Sequence, residues 1–253
     1  MVNTMLIDSH CHLDLYPNFE TLLEKIELSK IRTITMTTTP RAWKRNFILT
    51  RHKRYIRAAL GLHPQLADQC IEELSLWKYY LHDTHYVGEV GLDASPYYYK
   101  SFEKQKYIFK NILQECSQNP GKIISVHSVR CTKIVLDMIE HNFSRCAGTI
   151  ILHWFSGNKY DLERAIKLGC YFSINTKMCK VKHGVNIVSE LPLDRILTET
   201  DGPFIKIGSQ PTTPLNISTV LEDISKIRDE SYDKVQVSIN NNFLTITDDL
   251  YGF

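Results

Sequence analysis

Residues 122–153 read KIISVHSVRCTKIVLDMIEHNFSRCAGTIILH, and they show most clearly the alternation on which the fold prediction rests. Two short runs of mostly apolar residues, 122–127 and 148–153, flank a stretch at 130–142 that is typical of a helix. Runs that are apolar almost throughout are typical of parallel strands that are covered on both faces of their sheet. A strand, a helix and a second parallel strand form the repeating unit of α/β proteins, so the stretch predicts an α/β fold.

The same alternation extends over the rest of the chain. Eight strands are predicted, at 5–9, 32–37, 55–62, 86–91, 122–127, 148–153, 170–175 and 195–199. Eight helices are predicted, at 18–30, 40–52, 69–82, 100–118, 130–142, 158–168, 180–190 and 216–229. This is the count of a (β/α)8 TIM barrel. A doubly wound sheet is the alternative, but no GxGxxG or GxxxxGK(S/T) loop follows any strand. We therefore predict one barrel domain over residues 1–253.

The composition is that of an ordinary soluble globular protein. Of the 253 residues, 43% are hydrophobic and 23% are charged, and the formal net charge is +2. These values exclude a disordered chain, a collagen-like repeat and a highly basic nucleic-acid coat. The seven cysteines are scattered without a CxxC pair, which predicts reduced thiols. We see neither a signal peptide nor an apolar run that could span a bilayer, so we expect a cytoplasmic protein without a membrane partner.

Ionisable side chains stand where six of the predicted strands end. In a (β/α)8 barrel these carboxyl ends converge on one rim, where the active site is built. His10 and His12 are separated by one residue, and because side chains alternate along a strand, both imidazoles point to the same side. A lone HxH pair is a weak signal, and two polar loop histidines are the alternative. A metal site is favoured by further residues at strand ends, namely Glu89, His127, His153 and Asp201.

These side chains can be divided between two metal ions, with Glu89 as the bridging carboxylate. The predicted ligand sets are His10, His12, Glu89 and Asp201 for one ion and Glu89, His127 and His153 for the other. Two ions about 3.5–4 Å apart can activate a water molecule and polarise a phosphoryl oxygen. Mixed imidazole and carboxylate ligands suit zinc, manganese, cobalt or iron, and magnesium can also act.

Six motifs of the sequence resemble those of the TatD-type metal-dependent deoxyribonucleases. They follow that family's order and spacing over nearly the whole chain: IDSHCHLD (7–14), GLHP (61–64), GEVGLD (88–93), SVHS (125–128) after the helix with Gln105, HWFSG (153–157) and PLDRILTETDGPF (192–204). The resemblance implies a barrel of the metallo-dependent hydrolase type, one or two divalent metal ions, and hydrolysis of DNA phosphodiester bonds, often from a single-stranded 3′ end. It assigns ligand roles to the same six residues, His10, His12, Glu89, His127, His153 and Asp201.

Two departures from the family's pattern concern the substrate. Trp154 stands where the family usually has cysteine, and residues 205–215 read IKIGSQPTTPL where it usually has an Arg–Gly–Lys–Arg–Asn-like segment. The loss of these basic residues removes candidate phosphate contacts. A divergent member that works with protein partners in a complex is therefore one interpretation, such as the TatD-like component QatD of bacterial anti-phage Qat clusters.

Catalytic roles are predicted for Asp201, Glu89 and His63. Asp201 could accept a proton from the activated water. His63 stands at a strand end before Pro64 and could bind a substrate phosphate or transfer a proton, or it could be a capped turn histidine. Asp93 could orient a ligand histidine or cap its loop.

Candidate substrate contacts follow three of the strands. Arg130 stands near a predicted helix N-terminus, where phosphate is favoured, although a solvated helix arginine is the alternative. Tyr97, Tyr98 and Tyr99 could stack on unpaired bases, but one or two of them could simply pack under their loop. Trp154 permits base stacking beside His153, and packing at the rim is the alternative.

Two other function classes compete with a nuclease. One is an amidohydrolase-like enzyme that acts on a small amide, lactone or ester. Many two-metal relatives of that kind bridge with a carboxylated lysine at strand 4, where this chain has Glu89. The other is a scaffold subunit that keeps its metal site while partners control its activity.

Overall fold

The computed structural model describes residues 4–247, and it confirms all eight predicted strands. The strands are β1 (Ile7–Cys11), β2 (Arg32–Met36), β3 (Ile56–Ala59), β4 (Tyr86–Asp93), β5 (Lys122–Val129), β6 (Gly148–His153), β7 (Tyr171–Ile174) and β8 (Ile196–Thr198). A short hairpin that the sequence did not indicate follows them, with strands β9 (Lys206–Ile207) and β10 (Gln210–Pro211).

The helices also follow the predicted order. They are α1 (Phe19–Leu28), α2 (Pro40–Thr50), α3 (Ala67–Cys70), α4 (Leu74–Tyr80), α5 (Phe102–Gln118), α6 (Thr132–Asn142), α7 (Lys159–Lys167), α8 (Lys182–Glu190), α9 (Ile217–Arg228) and α10 (Tyr232–Thr247). Within residues 4–247, none is long and apolar enough to cross a membrane.

The structure corrects the helix prediction at two places. The stretch predicted as one helix at 69–82 is α3 and α4, separated by a 3-10 turn at Ile71–Glu73. Trp77 in α4 is fully buried, and its indole nitrogen donates to the carbonyl oxygen of Leu60, which fixes α4. Helix α10 was not predicted, because its sequence carries three consecutive asparagines, which have low helix propensity.

The described chain divides into two compact units, and the first contains 4–35, 48–58 and 172–247. In this unit β1 lies parallel to β2, and β7 lies parallel to β8. Strand β8 also lies beside β1, where the hydroxyl of Thr198 donates to the carbonyl oxygen of Ile7 at 2.6 Å. All five residues of β1 are buried, so its histidine enters the core of the unit.

The second unit contains residues 36–47 and 59–171. Here β4, β5 and β6 are consecutive parallel neighbours. Every residue of β4 is buried, including Glu89 and Asp93. Buried carboxylates need hydrogen-bonding or charged partners. Partners of these two lie at the carboxyl ends of β5 and β6 and in the segment that follows β3.

Candidate metal centre

Three of the predicted ligands come together in the first unit: His10, His12 and Asp201. The Nε2 atoms of the two histidines are 3.2 Å apart, and each lies 3.8 Å from Oδ1 of Asp201. All three side chains are buried. A point equidistant from three atoms at these separations lies about 2.1 Å from each, which is the length of zinc–nitrogen and zinc–oxygen bonds. The first cluster therefore fits a small divalent cation.

Backbone hydrogen bonds between the β1 and β8 segments hold this first cluster together. The backbone nitrogen of Asp201 donates to the carbonyl oxygen of His10 at 3.0 Å. The backbone nitrogen of His12 donates to the carbonyl oxygen of Gly202 at 2.8 Å. Asp201 has a φ of 47°, in the left-handed region that aspartate and asparagine tolerate better than other residues with a side chain. The bend turns its carboxylate toward the two imidazoles.

The buried side chain of Asp8 connects the same two segments by hydrogen bonds. Asp8 accepts hydrogen bonds from the backbone nitrogens of His10 and Thr200 and from the Thr200 hydroxyl. Burial raises the pKa of Asp8 to about 8, although the donors from Thr200 and His10 oppose this shift.

The second unit brings Glu89, Asp93 and His127 together. Nδ1 of His127 lies 2.6 Å from Oε1 of Glu89, and Nε2 lies 3.1 Å from Oδ2 of Asp93. The two carboxylates stand four residues apart on β4, so they face the same side of the strand. The residue between them on that face, Gly91, pairs with His127, and a Cβ on Gly91 would strike the carbonyl oxygen of His127. Glycine therefore permits the close approach of β4 and β5.

The pKa values of His127 and Asp93 both depend on the hydrogen bond between them. Burial lowers the pKa of His127, but the hydrogen bonds to Asp93 and Glu89 outweigh this effect and raise it to about 9. Burial raises the pKa of Asp93, but hydrogen bonds from His127, Ser95 and Gln65 hold it below its usual range. Asp93 thus orients His127 and also caps its own loop, so both predicted roles are combined.

His63 faces Glu89 from the end of the β3 segment. Its Nε2 lies 3.3 Å from Oε2 of Glu89, while its Nδ1 accepts a hydrogen bond from the backbone nitrogen of Gln65 at 3.2 Å. Because Nδ1 is an acceptor, the proton of the neutral ring is on Nε2, and His63 donates to Glu89. His63 is therefore both a turn-capping residue and a neighbour of the predicted metal ligand Glu89.

The second cluster consists of the predicted ligands Glu89, His127 and His153. His153, at the end of β6, is its most distant member. Its Nε2 lies 3.9 Å from Oε1 of Glu89. The second cluster thus offers imidazole nitrogens around one carboxylate, and this donor set suits a transition-metal ion. A divalent ion binds only the deprotonated imidazole, so it would compete with the proton that His127 shares with Glu89. The bridging role of Glu89 stays a prediction.

The candidate substrate contacts in the second unit are exposed in different degrees. Tyr97 and Tyr99 are 73% and 61% exposed, whereas Tyr98 is half-buried and contacts Tyr97 edge-on. Tyr99 stacks on Phe102, with ring centroids 5.3 Å apart, so it also packs against its own helix. Gln105 in α5 donates to the carbonyl oxygens of Asp93 and Tyr98. These bonds fix the turn that carries Tyr97, Tyr98 and Tyr99, which we call the tyrosine turn.

Arg130 and Trp154 each follow directly after strands β5 and β6. Both have left-handed backbone, with φ of 57° and 43°. Arg130 is exposed and lies before α6, which begins at Thr132. Trp154 is half-buried, and its ring lies edge-on to His153 with centroids 6.2 Å apart.

One residue near the first cluster was not recognised as a site residue from the sequence. Phe204 lies within the motif that contains Asp201, and its ring contacts His12 edge-on, with centroids 5.1 Å apart. A phenylalanine in a motif does not by itself indicate an exposed ring.

Comparison with known proteins gives a consistent family. The profile of the family described as TatD related DNase matches residues 7–248. A relative from Methanocaldococcus jannaschii, named uncharacterized metal-dependent hydrolase MJ1582, is 27% identical over 250 residues, covering 96% of each chain. Human deoxyribonuclease TATDN3 is 25% identical over 263 residues, covering 95% of this chain and 94% of that protein.

A solved structure supports the same conclusion. The crystal structure of YjjV, a TatD homologue from Escherichia coli, matches with a TM-score of 0.82 and 25% identity, covering 95% of this chain and 97% of that chain. The predicted fold class, a (β/α)8 TIM barrel of the metallo-dependent hydrolase type, is therefore confirmed. With a family match over nearly its whole length, the chain belongs to the TatD related DNases, a family of metal-dependent hydrolases.

Proposed function

We propose that this chain hydrolyses phosphodiester bonds in DNA, with single-stranded ends as its preferred substrate. The observation that carries the proposal is the first cluster, where three buried donor atoms stand at separations that fit a small divalent cation. A relative of similar length is named a deoxyribonuclease, which supports the DNA substrate. The proposal includes one or two divalent ions, with zinc, manganese, magnesium, cobalt and iron as candidates.

Bound divalent ions would supply the charge that activates a water molecule and stabilises the phosphoryl oxygens. His10, His12 and Asp201 would hold an ion in the first cluster, and Glu89, His127 and His153 would hold one in the second. Asp201 is also our candidate for the group that accepts the proton of the attacking water. Asp93 holds the His127 ring in its orientation through the hydrogen bond to Nε2.

His63 has a separate role in this proposal. Its Nε2 proton points to Glu89, and the ring is only 9% exposed. In this proposal a substrate phosphate oxygen would take the place of the Glu89 carboxylate as the acceptor of this proton. The backbone nitrogen of Gln65 keeps Nδ1 an acceptor, so the tautomer is fixed before substrate binds.

DNA would be bound by exposed groups of the second unit. The ring of Tyr97 is the most exposed aromatic of its turn, and the ammonium group of Lys100 lies 5.3 Å from its centroid. A base on Tyr97 and a phosphate near Lys100 would suit a single strand. Arg130 would contact a second phosphate. Tyr98, Tyr99 and Trp154 remain candidates for base contacts.

A protein partner is the last element of the proposal. Residues 206–211 form the exposed hairpin β9–β10 where the family usually has basic residues. Weaker phosphate binding by this chain would leave substrate delivery to a partner. Membership of an anti-phage complex is a specific form of this hypothesis.

The test is metal analysis together with cleavage assays on single-stranded DNA, double-stranded DNA and RNA. We expect one to two equivalents of divalent metal and fastest cleavage of single-stranded DNA. Removal of the metal with a chelator should abolish cleavage, and its return should restore it. A metal-loaded protein that cleaves esters or lactones but none of the oligonucleotides would overturn the proposal.

A further inference from the structure

The exposed ring of Phe204 contacts the ring of His12, a candidate metal ligand in the first unit. Phe204 is 60% exposed, and its ring meets the buried ring of His12 at 81°. A T-shaped contact of this kind uses one edge or one face of a ring. More than half of the Phe204 side chain thus remains available to a ligand.

The position of this ring is fixed by the same turn that places Asp201. The backbone nitrogens of Phe204 and Ile205 both donate to the carbonyl oxygen of Asp201, at 2.9 and 3.3 Å. The next side chain, Ile205, is buried, and its carbonyl oxygen accepts from the backbone nitrogen of Thr212. The chain therefore buries the isoleucine and presents the phenylalanine to solvent. The exposed ring of Phe204 contributes little to the core, and its contact with His12 places it beside the first cluster.

We infer that Phe204 is a stacking platform for an unpaired nucleobase, next to the phosphate of a nucleotide that would bind the divalent ion held by His10, His12 and Asp201. This inference deepens the proposed function and rests on it for the nature of the substrate. A phosphate at the first cluster places the sugar and base of the same nucleotide beside His12, where the ring lies. Every base has a π-face, so such a platform would accept all four bases and would favour a single strand over a duplex.

The stacking contact can be measured by binding, independently of hydrolysis. The probes are a labelled thymidine pentanucleotide and a matched pentamer of abasic residues, both with phosphorothioate linkages that slow cleavage. Fluorescence anisotropy gives the dissociation constant of each probe for the metal-loaded protein. Both probes carry the same charge, so their ratio reports the bases alone. We expect the thymidine probe to bind about 5- to 100-fold more tightly.

Three variants assign this preference to Phe204. Phe204→Leu keeps an apolar side chain but removes the aromatic face, and it should lower the preference by about 5-fold or more, the contribution of one stacked base. Phe204→Trp should retain the preference. The matched control is Leu28→Ala, which removes a side chain that is 81% exposed at the end of α1, and it should bind as the wild type does. Equal metal content in all variants shows that the first cluster is intact.

The outcomes separate this inference from the proposed function. A wild-type preference that survives in Phe204→Leu, or no preference at all, overturns the stacking role even if DNA is cleaved. A preference that falls by about 5-fold or more in Phe204→Leu supports the platform even if unmodified oligonucleotides are not cleaved, and in that case only the proposed hydrolysis fails.

Discussion

The carboxylate of Asp8 accepts two hydrogen bonds from Thr200, one from its backbone nitrogen at 3.0 Å and one from its hydroxyl at 2.5 Å. A third donor is the backbone nitrogen of His10, at 3.3 Å. One buried side chain thus restrains the residue before Asp201 and the first ligand histidine. The geometry of the first cluster therefore depends on a residue that is not one of its three members.

Asp8→Ala should therefore loosen the cluster as well as the fold. The substitution leaves buried donors without an acceptor, and each such group costs about 1–3 kcal/mol. We expect the free energy of unfolding to fall by about 2 kcal/mol or more, together with a loss of bound metal. Urea unfolding and elemental analysis measure the two effects.

The matched variant for this prediction is Asp8→Asn. Its amide oxygen can accept from both backbone nitrogens, and its amide nitrogen can donate to the Thr200 hydroxyl, so we expect near-normal stability and metal content. Equal losses in Asp8→Ala and Asp8→Asn would show that the carboxylate is needed for its charge, and the positioning argument would be wrong.

A second prediction concerns the glycine that lets β4 approach β5. Gly91→Ala would place a methyl group against the carbonyl oxygen of His127, so the strands must separate and the contacts of Glu89 and Asp93 with His127 are lost. We expect a large drop in melting temperature or insoluble protein. The control is Gly169→Ala, because Gly169 has a φ of 83° with no atom within 4 Å of an added Cβ. Only the backbone penalty of about 1 kcal/mol applies there. Similar melting temperatures for the two variants would contradict the packing argument.

The positions of the candidate ligands could be predicted because they follow from strand ends. Parallel strands bring their carboxyl ends to one edge, and the one-residue spacing of His10 and His12 puts both on one side of a strand. The first cluster confirms that these two meet Asp201. The pairing of His127 with Asp93 required the register of β4 against β5, which a single sequence does not specify.

Tertiary contacts explain where the sequence pattern failed. The asparagines that weaken the helical pattern of α10 have specific partners: Asn242 donates to the carbonyl oxygens of Leu193 and Ile196, and Asn240 accepts from the backbone nitrogen of Met5. These long-range bonds override local propensity. The exposed fraction of a side chain also cannot be read from the sequence pattern. In α5, Tyr107 is 56% exposed although the next two residues, Ile108 and Phe109, are both buried.

A third prediction tests the tyrosine turn. Tyr97→Ala should weaken binding of single-stranded DNA by about 1–3 kcal/mol, the value of one stacked base. Metal content should not change, because the ring is exposed and does not contact the second cluster's side chains in the described structure. The control is Tyr79→Ala, which removes an equally exposed tyrosine from α4. If the two variants bind a labelled oligonucleotide with the same affinity, Tyr97 does not contact DNA.

The last prediction separates the charge of Asp201 from its backbone conformation. Asp201 has left-handed backbone with a φ of 47°, which asparagine adopts about as readily as aspartate, so Asp201→Asn should keep the turn, the Phe204 position and the fold. Asparagine lacks the negative charge and the basic oxygen that would accept a proton from the attacking water. We therefore expect single-turnover hydrolysis of a labelled oligonucleotide to fall by about 10²-fold or more, while most of the DNA affinity survives.

Asp194→Asn is the control, because Asp194 is 72% exposed on the 3-10 turn before β8 and its loss should leave hydrolysis unchanged. Near-normal hydrolysis by folded, metal-loaded Asp201→Asn protein would show that another group accepts the proton.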